Sequence, residues 1–322
     1  MIAGQIVQRR RIELIDYPEP ELAKSGEVIF QPEVACICGS DRPYFDDQQP
    51  SYPLKVGLSL HEMVGTIVDC NGAKFKVGQR VLAVPPNHEG IFERRSISED
   101  HVVPIDSTSS LEEMVIAQPL GTVLYGLRQL PNLLGWTTVV VGQGPIGQLF
   151  CAALRSLGAG QVIAIDLLAS RLRTSKTMGA SVVVDSSMDD PIKAVRDLTE
   201  GKMADLVVEA AGHQNETLNL CIDLCRKEGR VHYFGIPPQT IDGVRWLEVV
   251  TKNLTITSSH SPDFAIDFPL AIQWISQRNL DVRPLITHQL SLTEIQQAFE
   301  IFSNRQDGAL KVTLKFPCTG QG

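Results

Sequence analysis

Cys38 and the adjacent pair His61-Glu62 are the residues of this chain best suited to chemistry, because a thiolate, an imidazole and a carboxylate together make a metal site. Zinc held by three protein ligands keeps a fourth position open for water or an alcohol oxygen, and it lowers that oxygen's pKa toward neutrality. The same chain carries Val139-Val140-Val141-Gly142-Gln143-Gly144-Pro145-Ile146-Gly147, an apolar run leading into a glycine turn of the dinucleotide-binding kind. An alkoxide beside a nicotinamide is ready to lose hydride.

Each of these side chains also has a plainer reading. Cys36 and Cys38 are two apart, so on a strand they would share a face, and spacing alone does not choose between them. His61 read singly is a core histidine and Glu62 a solvated charge. His88, His101, His213, His232, His260 and His288 have no comparable grouping and are read as structural. The seven cysteines, 36, 38, 70, 151, 221, 225 and 318, form no CxxC pair and are odd in number, which suits a reducing compartment. Cys221 and Cys225 are read as packing residues on one helical face.

The elements that must position this chemistry change character along the chain. Up to about residue 110, β-branched runs at Glu27–Val34, Met63–Asp69, Arg80–Val84 and Ile97–Val103 are punctuated by Asn71-Gly72, Val77-Gly78 and Pro85-Pro86. This pattern predicts a mostly antiparallel, barrel-like β domain. A helix is predicted over Leu111–Leu130, stopped by Pro131. From Thr137 short apolar strands alternate with amphipathic helices as far as Val231–Phe234, which specifies a doubly wound parallel sheet covered on both faces. Further helices are predicted at Phe268–Arg278 and Leu292–Ser303, the second with a capping arrangement at Ser291 and Glu294, and a final strand at Leu310–Phe316. The expected domains are 1–130, 131–262 and a C-terminal return to the first domain over 263–322.

The glycine turn has the context that its role demands. Gly142 allows the tight turn, Gly144 lets backbone approach a pyrophosphate, and Gly147 permits close helix–strand packing, with Pro145 and Ile146 opening the helix. Asp166 ends the next predicted strand, where its carboxylate accepts hydrogen bonds from a ribose and repels a 2′-phosphate, which favours NAD over NADP. Arg171 and Arg173 work the other way, since a guanidinium can hold that phosphate.

At 322 residues, with 43% hydrophobic residues and a formal charge of −8, the chain is expected to be soluble and to bind small molecules rather than nucleic acid or anionic membrane. Met1 to Arg11 contains no apolar run before a small-residue cleavage site, and no apolar stretch approaches the roughly 20 residues of a membrane span. A cytoplasmic protein is expected.

Val34-Ala35-Cys36-Ile37-Cys38-Gly39-Ser40-Asp41 and Leu60-His61-Glu62-Met63-Val64-Gly65 resemble the catalytic-zinc motifs of the medium-chain dehydrogenase/reductase family. The resemblance continues through the glycine turn, Asp205–Gly212 and Pro284–His288, so it spans nearly the whole chain. Cys38-Gly39-Ser40-Asp41 with Tyr44 is most similar to the polyol (sorbitol) dehydrogenase branch. This resemblance implies a GroES-like β domain joined to a Rossmann domain, and hydride transfer between an alcohol and a nicotinamide. It implies Cys38, His61 and Glu62 as ligands of one catalytic zinc, Ser40 as the hydroxyl that takes the alcohol's proton, and a homodimer or homotetramer assembled through the nucleotide domain. Edge strands for that assembly are expected from Val231–Ile236 and Leu254–Thr257, and Tyr44 and Phe45 are candidates to line the substrate pocket.

Four departures from the family pattern matter chemically. Pro85–Phe92 stands where relatives carry a four-cysteine lobe, so no structural zinc is expected. Leu60 replaces a glycine before the His-Glu pair, and a positive φ there would have to be accommodated locally. Pro43 replaces a histidine that relays the proton to solvent, which leaves Ser40, the nicotinamide ribose and water. Gln118 replaces a glutamate beside the metal; with thiolate Cys38, carboxylate Glu62 and neutral His61, the summed charge of zinc and its ligands comes near zero, and a neutral Gln118 keeps the zinc a strong Lewis acid. A zinc-free NADPH-dependent quinone or enone reductase and a non-catalytic nicotinamide-binding regulator are the alternatives.

Overall fold

The computed structural model describes residues 1–105, 108–212 and 214–317, so His213 and Cys318 lie outside the described residues. An antiparallel ribbon of β1 (Ile2–Gln8) and β2 (Arg11–Asp16) begins the chain. The long strand β3 (Glu27–Cys36) then runs into a 3-10 turn at Gly39–Asp41 and the short helix α1 (Arg42–Asp46). β4 (Glu62–Cys70), β5 (Arg80–Ala83), β6 (Arg95–Ser98) and β7 (Val102–Pro104) follow, and β4 pairs antiparallel with both β3 and β5. The single strand expected over Ile97–Val103 is divided between β6 and β7. A turn at Glu99–His101 interrupts it, with Ser98 accepting from the Asp100 amide and Glu99 drawn in to accept from the Lys74 amide at 3.0 Å.

The helix expected over Leu111–Leu130 is two helices, α2 (Leu111–Met114) and α3 (Ala117–Arg128). One continuous helix would place Pro119 in its interior, where the ring clashes with the carbonyl of Val115; restarting at Ala117 puts Pro119 in a first turn, where no amide donor is needed. Next come β8 (Thr137–Val141), α4 (Pro145–Ser156), β9 (Gln161–Asp166), α5 (Ala169–Thr177), β10 (Val182–Asp185), α6 (Pro191–Leu198), β11 (Ala204–Glu209), α7 (Thr217–Leu224), β12 (Cys225–Tyr233), α8 (Trp246–Thr251) and β13 (Thr255–Ser258). Strands β8 to β13 form one parallel sheet in the order β10-β9-β8-β11-β12-β13, the dinucleotide-binding order with its reversal beside β8. Cys225 begins β12 instead of ending the helix, so Cys221 and Cys225 are both buried without sharing a helical face. β12 is interior to this sheet, whose edges are β10 and β13; this corrects the expectation that Val231–Ile236 lies at the edge.

The chain then forms α9 (Asp267–Ser276), β14 (Ile286–Ser291), α10 (Ile295–Asn304) and β15 (Lys311–Lys315). The capping box at Ser291 and Glu294 is present, although the first turn after it is 3-10. β15 pairs antiparallel with β3, closing a seven-stranded sheet ordered β14-β15-β3-β4-β5-β7, with β6 also on β3.

The described residues divide into two compact units. One comprises Met1–Gly121, Asp263–Gln277 and the chain from Ile286; the other comprises Thr122–Pro262 and Arg278–Leu285. The division falls at 121/122, within α3, instead of at the expected 130/131, and 278–285 joins the second unit, so the C-terminal segment does not belong wholly to the first. The first unit's core is built from Phe30, Ile37, Phe45, Met63, Phe299 and Leu314, the second's from Val139, Ile163, Val207, Ile222 and Val231. Phe45 is fully buried against Phe299 at 5.2 Å between ring centroids, so it is core and not pocket wall.

Candidate active site

The two metal-ligand segments meet because β3 and β4 pair in a register that sets Cys36 opposite Glu62. β3 ends at Cys36, so Cys38 lies beyond the strand, at the start of the 3-10 turn. That break separates the two cysteines. Cys36 is buried, and burial pushes its thiol well above the ordinary range, so it stays a neutral core thiol. Cys38 instead offers its sulfur within 4.8 Å of a His61 nitrogen and a Glu62 oxygen, which are likewise within 4.8 Å of each other.

Asp41 holds this arrangement from behind. It is fully buried, and its carboxylate accepts the Cys38 amide at 2.8 Å and the Leu60 amide at 2.9 Å, so it joins the loops that carry the thiolate and the imidazole. His61 Nδ1 lies 3.8 Å from Asp41 Oδ1, an ion-pair distance that leaves Nδ1 buried without a hydrogen-bond partner among the described residues. Burial alone would raise the Asp41 carboxyl, but His61 and the two amides outweigh it and hold it low. Burial likewise works to depress the His61 pKa, and Asp41 and Cys38 overcome it, raising the ring well above its usual value. A metal ion entering the set must therefore displace the His61 proton.

Leu60 adopts φ 65° and Ser59 φ 106°, so the left-handed backbone expected of a glycine is present with a leucine in it. The leucine side chain is fully buried in the first unit's core, and burial of this size, about 1.5–3 kcal/mol, offsets a left-handed residue's cost of about 1–3 kcal/mol. His88 corrects the reading that it is merely structural. Its ring packs edge-on against His61 at 4.3 Å and lies 5.8 Å from Tyr44, placed there by consecutive left-handed residues Asn87 and His88. With Asp41 and His61 it forms a second set of donors within 4.8 Å. Asp41 and His88 thus both border the His61 ring.

Lys311 is the residue that the sequence pattern concealed. Its ammonium donates to both Glu62 oxygens, at 2.7 Å and 2.5 Å, with both side chains buried. Burial alone would lower its pKa; Glu62 outweighs this and holds the ammonium protonated. The local charge count therefore carries one more positive charge than Cys38, His61 and Glu62 imply. Ser40 Oγ is buried and without a hydrogen-bond partner among the described residues, and Gln118 is buried in the first turn of α3. The donor set of one thiolate, one imidazole and one carboxylate suits zinc, and the unpartnered atoms of Ser40 and His61 fit a site made to be filled.

In the second unit the glycine turn meets the steric demands read from its spacing. A Cβ on Gly142, at φ 90°, would come 2.7 Å from the Ala211 nitrogen, and one on Gly147 would come 1.8 Å from the Gly142 oxygen. A Cβ on Gly144 would meet nothing within 4 Å, which leaves open the approach to the N-terminus of α4, with Pro145 at its first position. Asp166 accepts the Gln143 amide at 2.6 Å and the Leu168 amide at 2.8 Å, and Arg171 lies 3.6 Å from it. Buried Gln143 and Gln148 tie the turn to Val140, Ser175 and Arg171.

Residues 24–108 match the alcohol dehydrogenase GroES-like domain family, and residues 145–277 match the zinc-binding dehydrogenase family. L-threonine 3-dehydrogenase of Bacillus subtilis is 31% identical over 92% of this chain and 93% of its own length. Sorbitol dehydrogenase of the same organism is 25% identical over 97% of this chain and 96% of its own. The structure of galactitol-1-phosphate dehydrogenase from Escherichia coli superposes with a TM-score of 0.88 at 21% identity, covering 98% of this chain and all of that one, and so shows the shared fold. The chain belongs to the zinc-type medium-chain dehydrogenase family, in its polyol dehydrogenase branch, and is a nicotinamide-dependent alcohol or polyol dehydrogenase.

Proposed function

We propose that the protein transfers hydride between NAD and a secondary alcohol of a polyol, sugar or amino alcohol, at one zinc held by Cys38, His61 and Glu62. The observation that carries this reading is the convergence of those three donors within 4.8 Å. The two relatives named for threonine and sorbitol support a secondary hydroxyl as the reacting group. Zinc in this set supplies a Lewis acid that acidifies the substrate hydroxyl. Ser40 Oγ, buried and without a hydrogen-bond partner among the described residues, would take the hydroxyl proton and release it toward water, because Pro43 has no titratable group. Asp41 keeps the His61 ring oriented, Lys311 fixes the Glu62 carboxylate, and Gln118 adds a neutral neighbour that leaves the site's positive charge undiminished. The glycine turn holds the pyrophosphate at the α4 N-terminus, and Asp166 at the end of β9 favours NAD, its negative charge opposing a 2′-phosphate despite Arg171 nearby.

Pro85–Phe92 takes the place of a metal lobe, which supports a single zinc. The unpaired state of Cys36, Cys38, Cys70, Cys151, Cys221 and Cys225 supports a reducing, cytoplasmic setting. Among the described residues no helix is long and apolar enough to cross a membrane. The free edge of β13, with Trp246, Leu247 and Val250 exposed on the neighbouring α8, supports assembly of two or four copies through the nucleotide unit.

The decisive experiment combines zinc analysis with a screen of polyols, sugar alcohols and amino alcohols, following NADH absorbance. One equivalent of zinc per chain and NAD-linked turnover are expected. Zinc well below half an equivalent in protein purified without chelators would point to the zinc-free reductase alternative, and two equivalents would reveal a structural site. Ser40→Ala should lower kcat by roughly 100-fold, as for loss of general acid–base help, with zinc content unchanged. Turnover at the wild-type rate would remove Ser40 from the proton path.

A further inference from the structure

A fully buried carboxylate at the end of β11 is used neither by the metal set nor by the glycine turn itself. Glu209 stands in register with Val141 at the end of β8 on one side and with Tyr233 at the end of β12 on the other. These are the carboxyl ends of the parallel strands, where doubly wound folds bind their ligands. Strand packing here asks only for an apolar side chain, and an unpaired carboxylate in such a place costs several kcal/mol, so its presence needs a reason.

The hydrogen bonds supply that reason. Glu209 Oε1 accepts the amides of Ala211 at 3.1 Å and Gly212 at 3.0 Å, fixing the turn that leaves β11. Gly212 is left-handed, at φ 62°, so the turn's path depends on a conformation that the carboxylate holds from within. This turn is the surface against which Gly142 packs, since a Cβ at Gly142 would lie 2.7 Å from the Ala211 nitrogen and 2.8 Å from its Cα. A Cβ at Gly235, beyond β12, would come 2.4 Å from Glu209 Oε2. Two backbone turns thus close around one carboxylate, and the Gly142 turn packs on the first of them. Oε2 and the Tyr233 hydroxyl are buried with no hydrogen-bond partner among the described residues.

We propose that Glu209 is a positioning residue for the nicotinamide cofactor, holding Ala211 and Gly212 so that the turn at Gly142 keeps the shape that receives the pyrophosphate. This rests on the proposed cofactor site, and the test separates the two. NADH affinity is measured by fluorescence titration on the wild-type protein and on Glu209→Ala, Glu209→Asp and Glu209→Gln, with steady-state kinetics in parallel. Ala removes the acceptor and Asp withdraws it by one methylene; both should weaken NADH binding at least about tenfold and raise the KM for NAD. The KM for the alcohol, and kcat at saturating NAD, should stay within about threefold. Gln keeps an acceptor oxygen in place and should restore affinity to within about threefold of wild type. A merely structural role would instead lower kcat and stability without that split. Asp keeps a carboxyl group in the site, so it carries the test should Ala fail to fold. Wild-type affinity in Asp or Ala, or a Gln variant as weak as Ala, would overturn the positioning role. No NADH binding by the wild-type protein would overturn the cofactor site itself.

Discussion

Replacing Lys311 with methionine lowers the stability of the metal-free first unit by about 3–5 kcal/mol, the usual cost of leaving one partner of a buried ion pair without the other. Both Glu62 oxygens are taken up by the Lys311 ammonium, and neither side chain reaches solvent, so no water can replace the lost partner. Methionine nearly preserves the aliphatic volume, which separates the electrostatic loss from a cavity. Adding Glu62→Gln to Lys311→Met removes the stranded charge and should recover a large part of the loss, giving a coupling energy well outside the error of additivity. Zinc should lessen the penalty of the single variant, because the released carboxylate can turn its charge to the metal ion. Since the chain has two units, global unfolding is a poor reporter, and amide exchange on β4 and β15 reads the affected unit directly. Unchanged protection of those strands in Lys311→Met would show that Glu62 does not depend on Lys311.

That ion pair also marks where the sequence stops being legible. The glycine turn, Asp166 and the Cys38 and His61-Glu62 segments are local patterns, and each has a chemical role that its own neighbours reveal. Lys311 is 249 residues from Glu62 and sits in an ordinary alternating strand; only the pairing of β15 with β3 places it behind the metal set. Asp41 stood in plain view in the motif, but its work lies in accepting two backbone amides, and amides carry no sequence signature. His88 reaches His61 through two successive left-handed residues, a conformation that Asn and His each tolerate better than most residues but that neither announces in sequence. The split of α2 from α3 was legible in principle, since Pro119 forbids a continuous helix there. The strands β1 and β14 escape the sequence reading because polar residues interrupt their apolar ones, without the apolar runs that mark β8, β9 and β11.

Asp41→Ala should lower zinc affinity by about 10–100-fold, the range seen when the group that orients a metal-bound histidine is removed. The loss has two sources. The Cys38 and Leu60 amides lose their common acceptor, so the two ligand loops are no longer joined, at a cost of about 1–3 kcal/mol for each buried donor left unpaired. The His61 ring also loses the carboxylate facing Nδ1. Competition with a chelator across a pH series distinguishes this second source. In the wild-type protein Asp41 and Cys38 raise the His61 pKa, so zinc must displace a ring proton and its affinity falls as pH drops through that raised value. Without Asp41 the ring holds its proton less tightly, and the fall begins at lower pH. The gap between variant and wild type should therefore be widest at alkaline pH and narrow as the solution is acidified. A gap that stays constant with pH would leave loop anchoring as Asp41's whole contribution, and a variant with wild-type affinity would show that β3 and β4 alone suffice to hold Cys38 and His61 together.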